Sequence, residues 1–565
     1  MITEYSKKLD REHPLPEYPR PQLRREEWMN LNGDWEYVVT PKNQQTIPTK
    51  IEGHITVPFP IESLLSGVQR RVSEKEYLWY RKIVEMPWSN KTLLHFGAVD
   101  YECTIFLNKQ EVFTHKGGYS PFEVEIPSET IQENKTIEII LRVWDPTDCS
   151  DQPRGKQIQT PYTIWYTPVT GIWQTVWMEP VPEVYVDYLE FIPDIDKNTL
   201  TLTGESSDRN TTTNFKLEIF DETTPILTVE SVAMGVAFKV PENLVRWSPS
   251  SPKLYNTKIT SATGDVVFSY FAMRKFSKGT HHGFPCFLLN NEPIFVYGLL
   301  DQGYWPDGLY TAPTDEALKS DLLFCQKLGF NTLRKHAKVE PLRWYYHCDQ
   351  MGILVWQDMP SRCGWGIGQF LGWDQDGFKE KDKTVPPETK ALFLEEWSEI
   401  RRSVRMSPSV MCWVPFNENW GQFDTSEICE LSQDSQRLVN AASGGNHFKN
   451  VGDICDCHAY PAPKMRVVDE RIRVVGEFGG IGKKVEGHSW VTRSWGYVKS
   501  DTVEDVYEKY VEILEHIEGL AGAIYTQLSD VETETNGLIT YDRCVEKVDI
   551  DRMKKIHDHL YNSMK

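Results

Sequence analysis

Several common protein classes are excluded by what this chain has little of. Its 11 cysteines are odd in number and follow no paired spacing, so no disulfide framework is expected. Cys455 and Cys457 form a C-x-C with no second Cys or His pair at zinc spacing nearby, which leaves reduced thiols as the simplest state. No apolar run is long enough to span a bilayer. Positive charge is scarce: 61 Lys and Arg stand against 81 Asp and Glu, a net charge of −20. Such a surface repels nucleic acid and anionic membranes and mildly disfavours polyanionic substrates. The opening residues, MITEYSKKLDREHP, lack the apolar core of a signal peptide. A cytoplasmic protein is expected, with secretion or a periplasmic location left open if a leader has been removed.

What is present suits a large folded protein. A chain of 565 residues with 40% hydrophobic and 12% aromatic content implies two to four domains. The 19 Trp and 25 Tyr suit sugar-stacking platforms and β-rich cores equally. Residues 1–183 read as all-β. Short alternating segments such as Tyr77 to Val84, Cys103 to Leu107 and Thr136 to Val143 are separated by Asn, Gly and Pro turns. LNGDWEY (Leu31 to Tyr37) and the stretch from Leu107 to Ile126 are expected to be hairpins, and the whole a jelly-roll β-sandwich. Residues 184–276 keep the β pattern over roughly the length of an immunoglobulin-like β-sandwich, without its Cys pair.

From residue 277 to 565 strands alternate with helices, the mark of a parallel α/β architecture, here a (β/α)8 TIM barrel. Candidate strands are PIFVYGLL, FNTLRKH, GILVWQD, the run ending at Glu418, RLVNAASG, DICDCHAYP, VVGEF and GAIYTQLSD. Helices are expected from Asp315 to Leu328, capped by Thr314 and ended by Gly329, after Pro341, from Glu388 to Arg405, and from Thr502 to Ile517.

The barrel carries the chemistry. The apolar run Val410 to Phe416 leads straight into Asn417, Glu418 and Asn419. A second such run, IRVVGEF, ends around Glu477, about two β/α units further on. Carboxylates past the C-terminal ends of two parallel strands face one mouth. A pair of that kind is the equipment of a glycoside hydrolase, in which one group protonates the leaving oxygen and the other attacks the sugar. Either acid alone would more simply be a surface residue in a loop.

By domain order and motifs the chain resembles glycoside hydrolase family 2, the family of β-galactosidases, β-glucuronidases and β-mannosidases. LNGDWEY, GFNTLRKH, HAYP, Asn417-Glu418 and the Glu477 of GEFGG carry the likeness. The resemblance implies a retaining exo-β-glycosidase with Glu418 as acid/base and Glu477 as nucleophile. It also implies that Asn417 holds the sugar 2-hydroxyl, Tyr460 bonds Glu477, and His336 and His458 line the site. Asp358, Gln527 and Asp530 end strands at the mouth and could grip hydroxyls, and Trp420 would face the aglycone. Asp151 and Arg154 resemble a first-domain loop that reaches the site. The family often has a Trp near the end of the eighth strand, where YTQLSD has none.

The β-glucuronidases of the family carry an Asn-x-Lys clamp for the sugar carboxylate. Here TETNGLITYDR offers Glu534 and Asn536 and no Lys, which disfavours a uronate, although Lys483 or Lys484 could substitute. Neutral hexosides are therefore expected, β-galactosides first. No cofactor and no metal is assigned, the partner is a carbohydrate substrate, and a homo-oligomer is left open. A non-catalytic sugar-binding protein would be expected to lack one of the two glutamates. An endo-acting cellulase-like or mannanase-like barrel would not need the two preceding β domains.

Overall fold

The computed structural model describes residues 1–131, 135–208, 214–361, 377–490 and 494–563. It is a multidomain chain: a jelly-roll β-sandwich, an immunoglobulin-like β-sandwich and a C-terminal (β/α)8 barrel. In the first sandwich, Gly33–Pro41, Glu76–Glu85, Thr136–Trp144 and Glu102–Leu107 run side by side in a six-stranded antiparallel sheet. A four-stranded sheet containing Val176–Pro180 and Thr92–Phe96 faces it. Alternate side chains from both sheets, among them Trp35, Tyr80, Ile105, Leu141, Phe96 and Met178, form one apolar core.

Two hairpin expectations are corrected here. LNGDWEY is no hairpin: Gly33–Pro41 is one continuous strand, and Met29–Asn30 before it pairs in the opposite sheet with Met178 and Trp177. Leu31 and Asn32 are thus a corner between layers. In the stretch from Leu107 to Ile126 only Glu102–Leu107 and Gln110–Lys116 form a hairpin, through Asn108 and Lys109, both at positive φ. Phe122–Ile126 crosses to the other sheet and pairs with Thr92–Phe96. Strand alternation tells inside from outside but not which of two facing sheets a strand joins.

The second sandwich sets Val186–Asp194, Thr199–Ser206 and Ala237–Lys239 against a sheet of Thr224–Val232, Phe215–Asp221, Tyr255–Ser261 and Val266–Phe271. The barrel follows. Its strands are β1 Val296–Asp301, β2 Thr332–Lys335, β3 Leu354–Asp358, β4 Val410–Val414, β5 Leu438–Val439, β6 Ile454–His458, β7 Ile472–Gly479 and β8 Gly522–Thr526. They are parallel and ordered 5-4-3-2-1-8-7-6. Between β5 and β6 the ladder gives way to single bonds. Asp453 N donates to Val439 O at 2.8 Å and Asn440 Nδ2 to Asp456 Oδ2 at 2.7 Å.

Side chains alternate along each strand. Leu354, Trp356 and Ile524 fill the barrel with Phe287 of the preceding hairpin, while Val355, Ala523 and Tyr525 face the helices. Helix α1, Asp315–Lys327, starts where Thr314 accepts from Ala317 N. Helix α2, Leu342–Met351, ends at Gly352 in the left-handed region. Among the described residues no helix is long and apolar enough to cross a membrane.

The N-terminal segment laces the three parts together. Arg25 is buried between Glu179 of the first sandwich, 2.7 Å away, and Asp265 of the second, also at 2.7 Å. Thr3 donates to Asp307 of the barrel at 2.7 Å. Removing one partner of a buried ion pair leaves the others uncompensated, at about 3–5 kcal/mol. Arg25→Met is therefore expected to lower the urea midpoint strongly, whereas Arg24→Met, whose guanidinium lies over the Phe268 ring, should change it little. Equal shifts in the two unfolding curves would show that Arg25 is not a tie.

Candidate active site

The C-terminal ends of the barrel strands gather most of the expected residues. Past β4 the chain runs through Phe416 and Asn417 into Glu418 and Asn419, whose φ angles are 48° and 66°. Non-glycine residues adopt this left-handed region only when the surroundings hold them there. Here Glu418 N donates to Ser443 O at 2.8 Å and Trp420 N to Asn417 O at 2.9 Å. The approach also depends on Gly444, where a Cβ would lie 2.0 Å from the His458 ring. On the neighbouring strands His458 of β6 stands in register with Glu477 of β7. Glu418, His458 and Glu477 each bring one ligand atom within 4.8 Å of the others.

The centre of the site is Arg334, fully buried on β2. It grips Asp358 through two nitrogens at 3.0 and 2.9 Å. It donates to Asn417 Oδ1 at 2.7 Å and to Glu477 Oε1 at 3.3 Å. Two residues along the same strand face, His336 Nδ1 stands 2.7 Å from Asp358 Oδ2. Asp358 is thus committed to the framework, its two oxygens taken by Arg334 and His336.

Electrostatics separate the two glutamates. Burial and the Glu477 charge raise the Glu418 carboxyl above the ordinary range, against the pull of His458 and Lys156. Burial acts the same way on Glu477, but the positive charges of His458, Arg334 and Lys156 outweigh it and bring Glu477 to about 2. His458 lies between them, with Nδ1 2.8 Å from Glu418 Oε1 and 3.5 Å from Glu477 Oε2. Its burial favours the neutral ring, yet the two carboxylates raise it overall. His336 is held well below its usual value by burial and then by Lys156 and Arg334, so it stays neutral. The arrangement therefore favours the proton on Glu418 over Glu477, with the two carboxyls facing each other.

Other expected residues divide. Tyr460 donates to Glu477 Oε2 at 2.7 Å and stands 2.9 Å from Thr526 Oγ1. Trp420 packs its ring against Trp165 of the first sandwich, centroids 5.1 Å apart. Gln527 bonds Gln302 and Asn536 at 2.9 and 3.0 Å, so it buttresses the loop after β8. Asp530 ties that loop down with Oδ1, through Lys547 Nζ at 2.5 Å and Gly537 N at 2.9 Å, while its buried Oδ2 has no hydrogen-bond partner among the described residues. Lys483 is half-buried and Lys484 exposed, and neither acts on the two glutamates as Lys156 does. The first-domain loop does reach the mouth. Its contribution is Lys156, with Arg154 buried and Asp151 half-buried beside it.

Sequence reasoning missed Arg334, Lys156, Tyr166 and Tyr497. Arg334 had a signal: it shares a strand face with His336. Tyr497, stacked on Tyr460 with centroids 3.6 Å apart, had none. The Glu418–His458–Glu477 group could in principle hold a metal, but two cations beside it, Arg334 and Lys156, oppose a third. Among the described residues His488, Asp542 and Cys544 form one more group of that size.

A parallel barrel with two facing glutamates at its C-terminal rim, preceded by two β-sandwiches, is the architecture of a multidomain glycosidase. Residues 286–474 match the family model described as glycosyl hydrolases family 2, TIM barrel domain. A β-galactosidase of Thermoanaerobacter pseudethanolicus is 22% identical over 568 residues, 95% of this chain and 71% of the relative. A putative β-glucuronidase of Formosa agariphila is 23% identical over 406 residues, 69% of this chain, and the match spans 46% of that relative. Among solved structures, a β-D-glucuronidase of Dictyoglomus thermophilum superposes with a TM-score of 0.74 at 18% identity, covering 96% of this chain and 98% of that one. Residues 286–474 thus carry a barrel domain of the kind found in glycosyl hydrolases family 2.

Removing the Glu477 charge should let the Glu418 carboxyl ionise more readily. Side-chain carboxyl NMR titration of the wild type should show Glu418 above the ordinary glutamate value, and moved to lower pH in Glu477→Gln. An unmoved midpoint would mean that the two carboxyls do not sense each other.

Proposed function

We propose that the chain is a retaining exo-β-glycosidase in which Glu477 is the nucleophile and Glu418 the acid/base. The observation that carries this reading is the spacing of the carboxyl pair, with an oxygen of each within 4.8 Å of the other. Retaining enzymes need carboxyls about 5–5.5 Å apart, whereas inverting enzymes leave about 6.5–9.5 Å for a water. In the first step Glu418 gives its proton to the glycosidic oxygen while Glu477 attacks the anomeric carbon. In the second, Glu418 takes a proton from water as water displaces Glu477. The opposite pKa directions of the two groups support these roles. Arg334 and Tyr460 fix the Glu477 oxygens. Asn417 Nδ2 is buried without a partner among the described residues, a donor free for the sugar 2-hydroxyl.

The glycone is read as a neutral hexose, β-galactosides first. Glu534 is buried at the mouth, its charge balance affected by both Lys156 and Glu477. An acid there disfavours a uronate. The second reading, a uronoside, is favoured by one observation, the Lys156 ammonium in the same mouth.

Glu477→Ala should abolish turnover of every substrate, with azide returning a glycosyl azide of inverted configuration. Glu418→Ala should still attack activated aryl glycosides, and azide should then yield a retained product. Exchanged stereochemistry would mean exchanged roles. A uronate that meets Glu534 in place of the Asn-x-Lys clamp loses a charge-assisted bond worth about 1.5–3 kcal/mol. Nitrophenyl β-galactoside should accordingly exceed the β-glucuronide by at least about tenfold in kcat/KM. Faster hydrolysis of the glucuronide would favour the uronoside reading.

A further inference from the structure

Among the described residues, Lys156 is a cation at the mouth whose purpose the barrel does not explain. It sits in the first-sandwich loop and is only 6% exposed. Among the described residues its ammonium makes no ion pair and no side-chain hydrogen bond. It lies 5.6 Å from the Tyr166 ring centroid and 5.9 Å from that of Trp420. Its charge acts on Glu418, Glu477 and Glu534 together. The ammonium itself keeps some contact with solvent, so it stands where acceptors can arrive from the open mouth.

The loop is built to hold it there. Gly155, at φ 60°, packs so closely on the barrel that a Cβ would lie 2.4 Å from Ala337 O. Next in sequence, Gln157 anchors the loop to the sandwich, donating to Asp100 Oδ2 at 2.8 Å and to Tyr119 Oη at 2.9 Å. Tyr166 N donates to Lys156 O at 3.0 Å, and the Tyr166 hydroxyl donates to Glu534. Thr167 N donates to Glu532 Oε1 at 2.9 Å and Thr533 Oγ1 to Thr163 O at 2.8 Å. The sandwich loop and the loop after β8 therefore form one wall, with an ammonium from the first and a carboxylate from the second. Lys156 pulls the Glu534 carboxyl down against its burial, yet among the described residues the two stand beyond the 4.0 Å of an ion pair. A group that accepts from one and donates to the other fits between them. A hydroxyl does both, and a carboxylate cannot donate to Glu534.

We propose that Lys156 is a specificity-determining substrate contact, which together with Glu534 grips a single hydroxyl of a neutral glycone across the interface between sandwich and barrel. This rests on the glycosidase reading above and deepens it by naming the residue that selects the sugar. The first sandwich then completes the active site and is not an accessory module.

The test pairs wild type, Lys156→Met and Lys156→Gln with the best neutral nitrophenyl β-glycoside, its four monodeoxy analogues and the matching uronide. Lys156→Met should lose at least about tenfold in kcat/KM on the parent sugar. On one deoxy analogue, already lacking the gripped hydroxyl, the same substitution should cost little, and Glu534→Gln should single out the same analogue. An equal loss on all analogues would give Lys156 a general electrostatic or structural role and overturn the proposal. So would no loss at all, or a wild type that prefers the uronide and loses that preference in Lys156→Met. Unfolding midpoints of all three variants within a few degrees of wild type keep misfolding out of the comparison. A wild type inactive on every aryl β-glycoside would sink the glycosidase reading itself, a failure seen before any variant is made.

Discussion

A single buried guanidinium holds this site together. Arg334 lies inside the barrel mouth, where an unpaired charge is prohibitive. Its bonds to Asp358, Asn417 and Glu477 draw the ends of β2, β3, β4 and β7 onto one point. Its planar fork suits this, because two nitrogens can hold a carboxylate while others reach elsewhere. The same positive charge keeps Glu477 ionised. One residue therefore serves packing, geometry and electrostatics, and the rest of the mouth is arranged around it.

The second constraint is the shared wall between the first sandwich and the barrel. The barrel alone supplies the two carboxyls and Arg334. The loop that carries Lys156 and Tyr166 adds a charge and a hydroxyl that the barrel strands do not provide. Its position depends on Gly155 and on the bonds between 163–167 and 532–534. The interface between domains is thus where Lys156 and Tyr166 come up to the acids of the barrel mouth.

The N-terminal segment gives this wall its stability. Arg25 joins the two sandwiches, and Thr3 fastens the same segment to the barrel at Asp307. The sandwich loop itself is held at the mouth by Gly155 against Ala337 and by the bonds of Tyr166 and Thr167 to the loop after β8. Such an arrangement favours preorganised contacts, since little ordering remains when a substrate binds.

Much of this was legible in the sequence. The strand and helix periods, the capping Thr314 and Thr502, and the Gly stops at Gly329 and Gly352 are local signals, set by propensity and backbone sterics. The apolar runs ending near Glu418 and Glu477 marked the barrel rim for the same reason. Which sheet Phe122–Ile126 joins, that Asp530 pairs with Lys547, and that Tyr166 bonds Glu534 were not legible. Those contacts join residues far apart in sequence, and no local period encodes them. The chain by itself determined its elements and the two carboxyls; only the packing of three domains decided which charges surround them, because burial and distance, not residue type, set their electrostatic balance.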